Sequence, residues 1–270
     1  MPANDLTERI LQKDWSILGP PPPTSLSAGR DAAEQVGSLA KHPDREVREL
    51  ALNVLGALGG PVAHAVFLAA LNDSDEIVRA RACNLLHAHR DPADRPVLEK
   101  ELKENPDEYV REHAALILGE MGDLAAVPAL RDRKKIELDE HARWGMTLAL
   151  ARLKDHDAVA AVEQALHQEQ ASKRAEALED FRYVGDPRLV RGVVLLLADE
   201  RDAVNVGGSH APWYIRVCDV AVNALDAVLN HPFSFKVERG QRYTSQELKD
   251  AAEIARSKAS IARPAAQPGV

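Results

Sequence analysis

A short phrase, Asp-x-x-Val-Arg followed by a run of Ala and Leu, returns along this chain on a steady beat. Its clearest copies run from Asp44 to Arg48, Asp75 to Arg79 and Asp107 to Arg111, and looser ones contain Arg143, Arg174 and Arg216. Successive arginines are 31, 32, 32, 31 and 42 residues apart. A fixed period of this size marks stacked helical units, each covering the apolar face of its neighbour. The aromatic content of 4% and the dominance of Ala, Leu and Val suit closely packed helices better than a β-sandwich.

Each unit reads as two helices. The first helices are expected near 62–71, 95–103, 125–131, 158–167 and 189–198, and the second near 46–58, 76–88, 108–121, 140–153, 172–183 and 215–229. Asp44, Asp75, Asp107 and Asp139 precede second helices, where a carboxylate accepts from free amides and suits the positive helix end. Gly59-Gly60, Gly122 and Gly185 follow them, where a left-handed residue ends a helix cheaply. Val47, Ala51, Val54, Leu55 and Leu58 recur at helical steps as one buried stripe, repeated by Val110, Ala114, Ile117, Leu118 and Met121. Ala51, Ala82, Ala114, Met146, Ala177 and Asp219 share one column, which Met146 and Asp219 break.

This register of turn, Val-Arg and Leu-Gly resembles the HEAT-like repeat family, particularly the bacterial short form seen in phycobilisome lyases and many scaffold proteins. The resemblance covers roughly Leu26 to Leu229. It implies an all-α fold, a right-handed α-solenoid of about six helix pairs in the armadillo-like class, with the second helices lining a concave groove. In that family repeated Asp and Arg residues form ladders between units. The arginines 48, 79, 111, 143, 174 and 216 match the Arg position, while the Asp six residues earlier is met only by Asp73; His42, Asn105, Glu137, Gln168 and His210 stand elsewhere.

Around the solenoid the expected divisions are an N-terminal helix and Pro-rich leader (1–25), the repeats (26–230), an extended segment with a capping helix (231–259) and a disordered tail (260–270). Thr244 and Glu247 form the signature of a capping box for that last helix. The 42-residue spacing places a ten-residue excess between Asp199 and Pro212, read as a polar loop around Gly207-Gly208. Such insertions fall on one face of a repeat protein, often the binding face, and an inert surface insertion is the competing reading.

The chemistry of catalysis is not legible. There is no Ser-His-Asp pattern, phosphate loop or CxxC pair, and Cys83 and Cys218 lie in separate helices. His87-Ala88-His89 has the wrong spacing for chelation from a helix, and Glu112-His113 and Glu140-His141 stand out of register with one another. Deoxyhypusine hydroxylases, which share the repeat, hold iron through His-Glu pairs in register. No metal and no cofactor are therefore expected. The net charge of −8 opposes broad nucleic-acid binding, and no signal peptide or membrane span is present, so the expected location is cytoplasmic.

Residues two, six and nine positions after the Val column should face the groove by helical geometry. They supply Glu49, Asn53, Asn84, His87, Glu112, Leu116, Trp144, Leu148, Glu179 and Arg182 as candidate partner-binding residues. Leu116, Trp144 and Leu148 form an apolar centre inside a polar rim, as protein interfaces do. The alternative is that Trp144 packs internally, beside space left by Gly145. The expected function is a non-catalytic scaffold or adaptor that binds a partner protein. One concrete version is a bacterial inhibitor or immunity protein, its acidity suited to a basic partner such as a nuclease. The rival is a lyase-type enzyme, or a subunit of one, acting on tetrapyrrole-bearing proteins.

Overall fold

The computed structural model describes residues 3–19, 30–206 and 213–261. Pro20 to Pro23, Gly207-Gly208 and the tail after Ile261 lie outside the described residues. Those described are helical apart from loops, short 3-10 turns and one two-stranded hairpin, and the fold is the all-α solenoid class. The chain divides into two compact units, Met1–Met146 and Thr147–Val270.

The first unit opens with α1 (Ala3–Leu11), which lays Leu6 and Ile10 against α2 (Arg30–Leu39) and α3 (Arg45–Leu58). It ends one residue after its last buried position, Ile10, and a 3-10 turn follows over Trp15–Leu18 that buries Ile17 and leaves Trp15 exposed. Helix pairs follow: α4 (Gly60–Ala70) with α5 (Glu76–Ala88), then α6 (Arg95–Glu104) with α7 (Glu108–Met121). Next come α8 (Val127–Ile136) and the start of α9 (Glu140–Arg152). Second helices pack on second helices, α3 on α5 and α5 on α7, while first helices do the same, α2 on α4 and α6 on α8. The buried stripe is Val47, Ala51, Val54 and Leu55 in α3, repeated in α7 as Val110, Ala114, Ile117 and Leu118. Burying such aliphatic side chains contributes about 1.5–3 kcal/mol each, the main drive for stacking.

Two columns of aspartate punctuate the repeats. In the expected one, Asp44, Asp75, Asp107 and Asp139 accept amide hydrogen bonds from Glu46, Ile77, Tyr109 and Ala142 at distances of 2.8–2.9 Å. A second column, Asp91, Asp123, Asp155 and Asp186, caps the entries to the first helices in the same way. Gly122 and Gly185 end second helices at φ 72° and 62°, where a Cβ would be strained.

The arginines join the units through carboxylates of three different origins. Arg48 grips Asp73 with two bonds of 2.8 Å, and Arg111 grips Glu137 with bonds of 2.7 and 2.8 Å. Both acids sit six residues before the next arginine, so Glu serves there as well as Asp. Asn105 holds that position in the third repeat and carries no charge, and Arg79 turns instead to Asp107. The remaining arm of each guanidinium reads the chain's own turn: Arg48, Arg79, Arg111 and Arg143 all donate to the carbonyl six residues earlier. An arginine fork can meet a carboxylate and a carbonyl at once, which a lysine cannot.

The second unit continues α9 and adds α10 (His156–Ala165), α11 (Ala171–Val184), α12 (Val190–Leu196) and α13 (Val217–Val228). The expected polar loop contains an antiparallel hairpin, β1 (Asp202–Asn205) with β2 (Tyr214–Arg216), bulged between Asp202 and Val204. Its strands carry Ala203, Val204, Tyr214 and Ile215, residues suited to a half-buried pleat. Because Ile215 and Arg216 belong to β2, the last second helix starts at Val217, two residues later than expected. The segment 232–238 is not a strand; Phe233 stacks on Phe235 instead, ring centroids 5.3 Å apart. Thr244 and Glu247 exchange the capping-box bonds, and α14 (Ser245–Ile261) packs on α12 and α13.

Arg216 has no following repeat to join. Its guanidinium and amide bind Asp219, which is fully buried, and Nη2 also donates to the Tyr243 carbonyl at 2.7 Å. Asp219 Oδ1 accepts in turn from the Tyr243 amide at 3.0 Å. The charge that breaks the small-residue column thus fastens the C-terminal segment to the last helix pair. Tyr243 is buried with its hydroxyl on Asn223, and burial lifts that phenol to about 12.

Candidate partner-binding site

In the first unit the second-helix face is tied together by its own polar groups. Glu49 of α3 pairs with Arg81 of α5 at 3.7 Å, and Asn53 donates back to the Glu49 carbonyl. His87 of α5 lies 2.9 Å from Glu120 and 2.8 Å from His113, both on α7. Arg90 reaches the same Glu120 oxygen at 2.9 Å, and the Tyr109 ring packs 4.2 Å from His113. Burial, and then the neighbouring His87, hold His113 down to about 4 despite Glu120. The neutral His113 ring accepts from or donates to His87 according to its tautomer.

Glu112 lies against Gly145 of α9, so closely that a Cβ at 145 would stand 2.6 Å from Glu112 Cγ. The room beside Trp144 is thus taken by a neighbouring side chain. Trp144 and Leu116 are half-buried and Asn84 is exposed. Leu148 belongs to the second unit and is only 7% exposed. Four of the sequence candidates, Glu49, Asn53, His87 and Glu112, therefore serve contacts between or within repeats.

The second unit holds a more open arrangement. A cavity of about 560 Å³ is floored by Ala175 of α11 and Val220 of α13 and walled by Val204, Val206 and Ile215 of the hairpin. Glu176, Glu179, Asn223, Arg239 and Gly240 complete its polar lining. Glu179 is bound by Arg182 at 2.6 Å and by Arg239 at 3.1 Å, so these two sequence candidates meet at its rim. Outside it the hairpin exposes Trp213 (53%) and Tyr214 (42%). Arg242 fixes this edge: its guanidinium lies 5.4 Å from the Trp213 ring centroid, with bonds to the Tyr214 carbonyl and to Asp202. Trp213 Nε1 donates to the Gly240 carbonyl at 3.3 Å.

Trp213 and Tyr214 were absent from the sequence candidates. Their signal was available: Val204 and Val206, inside the insertion read as polar, and Trp213 and Ile215, directly after it, are apolar residues of high strand propensity.

Both thiols are buried, which pushes Cys83 up to about 12 and Cys218 up to about 11, so neither is a ready nucleophile. Among the described residues no group of three or more His, Cys, Asp or Glu is placed to hold a metal ion, and no helix is long and apolar enough to cross a membrane. The arrangement offers apolar contact, aromatic anchors and oriented charges, which is the chemistry of recognition.

Stacked helix pairs with arginine links define a repeat protein. The HEAT-repeat family profile matches residues 25–87 and 95–182, more than half of the chain, and the chain belongs to that family. No curated protein matches it in sequence. Among solved structures it is similar to the complex of CpcE and CpcF of phycocyanin lyase from Nostoc sp. PCC7120, with 18% identity and a TM-score of 0.55 over 94% of this chain and 90% of that one. Human deoxyhypusine hydroxylase in complex with glycerol aligns at 17% identity and a TM-score of 0.36, over 86% and 96% of the two chains. An engineered protein aligns at 18% and 0.40, over 85% and 69%. The likeness to the phycocyanin lyase complex shows the fold alone.

Proposed function

We propose that this protein is a non-catalytic scaffold or adaptor whose second-helix face binds a partner protein, in the manner of a bacterial inhibitor or immunity protein acting in the cytoplasm. The observation that carries this reading is the hairpin that Arg242 holds beside the α11–α13 cavity, presenting Trp213 and Tyr214 to solvent. Exposed aromatic residues on a pre-ordered support make good anchors, since little side-chain freedom remains to be lost on binding. The net charge of −8 suits a basic partner. Glu179 and Arg182 extend that contact within the second unit; on the first unit, taken by itself, Trp144, Leu116 and Asn84 are the proposed partner contacts.

The test is capture of a stoichiometric protein partner by the full chain, compared with a Trp213→Ala/Tyr214→Ser variant of equal helicity. Loss of capture supports the reading, and undiminished capture contradicts it. A second reading follows the likeness to the phycocyanin lyase complex across nearly the whole chain: a lyase-type enzyme subunit acting on tetrapyrrole-bearing proteins. A visible tetrapyrrole absorbance in the purified chain, or after mixing with bilin, favours that one.

A further inference from the structure

We propose that two copies of this chain pair through the turn edge of the first unit, each placing Leu138 in a recess of the other. The edge is separate from the second-helix face and does not rest on that reading. Leu138 is 91% exposed and Ile136 64%, yet both stand on a turn that is fixed. Glu137 between them is extended, at φ −68° and ψ 127°, with its carboxylate turned inward to Arg111 and Arg133. Side chains alternate along extended backbone, so burial of Glu137 sends its two neighbours outward. The same carboxylate accepts from the Leu138 amide at 3.0 Å and the Asp139 amide at 3.1 Å.

The fold does not ask for apolar residues there. In the second, third and fifth repeats the same two places hold Asn72 and Ser74, Glu104 and Pro106, and His167 and Glu169. Two large aliphatic side chains held rigidly in water gain nothing until something covers them. Their flank is basic, in a chain whose net charge is −8. Lys134 has no ion pair among the described residues, and Lys135 meets Asp132 only where both are mostly exposed, a contact of little strength. Glu140, beyond the turn, faces Arg143 at 3.8 Å.

The complementary surface lies on the same edge, between the second and third repeats. A recess of about 620 Å³ is lined there by Ile77, Ala80, Pro106 and Tyr109, with Glu76 and Glu108 beside them. Arg79 also lines it, but Asp107 meets that charge, as Arg48 meets Asp73, so Glu76 and Glu108 leave the recess negative. The exposure of Leu138 shows that it does not fill this recess in its own chain. The ties from Arg79 to Asp107 and from Arg111 to Glu137 hold knob and recess on neighbouring turns. A second copy, turned about a two-fold axis across the edge, makes the contact twice: Leu138 meets Ile77 and Tyr109, and Lys134 and Lys135 meet Glu76 and Glu108. Such a pair closes on itself. Knob and recess, opposite in charge and alike in apolar ground, stand on one edge of one unit, which selects this chain as its own partner.

Sedimentation velocity of the purified full chain, from about 1 to about 100 µM, tests this with no other protein present. The wild type should move from 29.5 kDa toward twice that mass as concentration rises. Leu138→Ser should raise the dimer Kd about a hundredfold, since each dimer loses two buried leucines. Leu195→Ser, which removes a leucine 66% exposed elsewhere, should change it less than about twofold. Lys134→Glu/Lys135→Glu and Glu76→Lys/Glu108→Lys should each weaken pairing, and all four changes in one chain should restore it. These side chains are exposed or half-buried, so every variant should keep wild-type helicity. A wild type that stays monomeric at about 100 µM, equal effects of Leu138→Ser and Leu195→Ser, or a combined charge variant that stays monomeric overturns the proposal.

Discussion

Arg111 holds both carboxylate oxygens of Glu137 and, with its third nitrogen, the carbonyl of Asn105. Glu137 is buried and also accepts from Arg133 at 2.8 Å. This pair ties the third repeat to the fourth, and removing Arg111 leaves the buried Glu137 with Arg133 and two backbone amides alone. Arg111→Ala should therefore destabilise the first unit by about 3 kcal/mol in urea denaturation, whereas Arg111→Met/Glu137→Met should recover most of the loss. Because the chain has two units, an intrinsic probe in the first, Trp144, should report the transition.

Acid should weaken the fold in two steps. Folded His113 titrates at about 4 against an ordinary 6.5, so between those values the unfolded chain binds a proton that the folded chain refuses. Stability is full above pH 6.5 and falls as the pH drops to about 4, by up to about 3 kcal/mol. Glu137, held by Arg111 at about 2 against 4.5, contributes stability that is full above pH 4.5 and is lost as the pH falls through about 2. Urea midpoints measured from pH 7.5 to 4 check the first step, and His113→Leu should flatten that slope.

Gly145 is required by its neighbour rather than by its backbone. Gly145→Ala places a Cβ 2.6 Å from Glu112 Cγ and should cost about 1–3 kcal/mol, since the gain in helix propensity is only about 1 kcal/mol. Glu112→Ala in the same chain should relieve the clash. A thermal-melt cycle of the two single variants and the double variant measures that coupling.

Asp219 fastens the C-terminal segment through Arg216 and the Tyr243 amide. Asp219→Ala should cost about 3 kcal/mol or more and leave Arg216 without its partner. Hydrogen exchange should then quicken at Tyr243 and along α14, with little change in the first unit.

Much of the fold could be read from the phrase that repeats. The Asp caps, the buried Val column and two second helices, 76–88 and 108–121, fall where the sequence places them, because capping and helical periodicity are local. The arginine links were only half legible. Asp73 was identifiable, but Glu137 is a longer acid and Asp107 lies two residues from the expected position, choices that depend on reach between repeats. The second Asp column was present at steady spacing in the sequence and rests on the same capping rule.

The binding face was harder. Helical geometry can say which residues leave the core, but not that Glu49 meets Arg81 or that His87 meets Glu120, since those contacts cross between units of the repeat. The insertion was read from its Gly pair and charges as a loop, while its β-branched and aromatic residues decided for a hairpin. Strand pairing across the eight residues between β1 and β2 is a tertiary choice, and Trp213 became a candidate only once that pairing was in place.

The role of that hairpin in recognition is tested most directly by native mass spectrometry of the tagged full chain recovered from its host, wild type beside Trp213→Ala/Tyr214→Ser. The account predicts one stoichiometric protein partner with the wild type, sharply depleted with the variant, and no bound tetrapyrrole. Equal recovery with the variant, or a tetrapyrrole travelling with the chain, would contradict it.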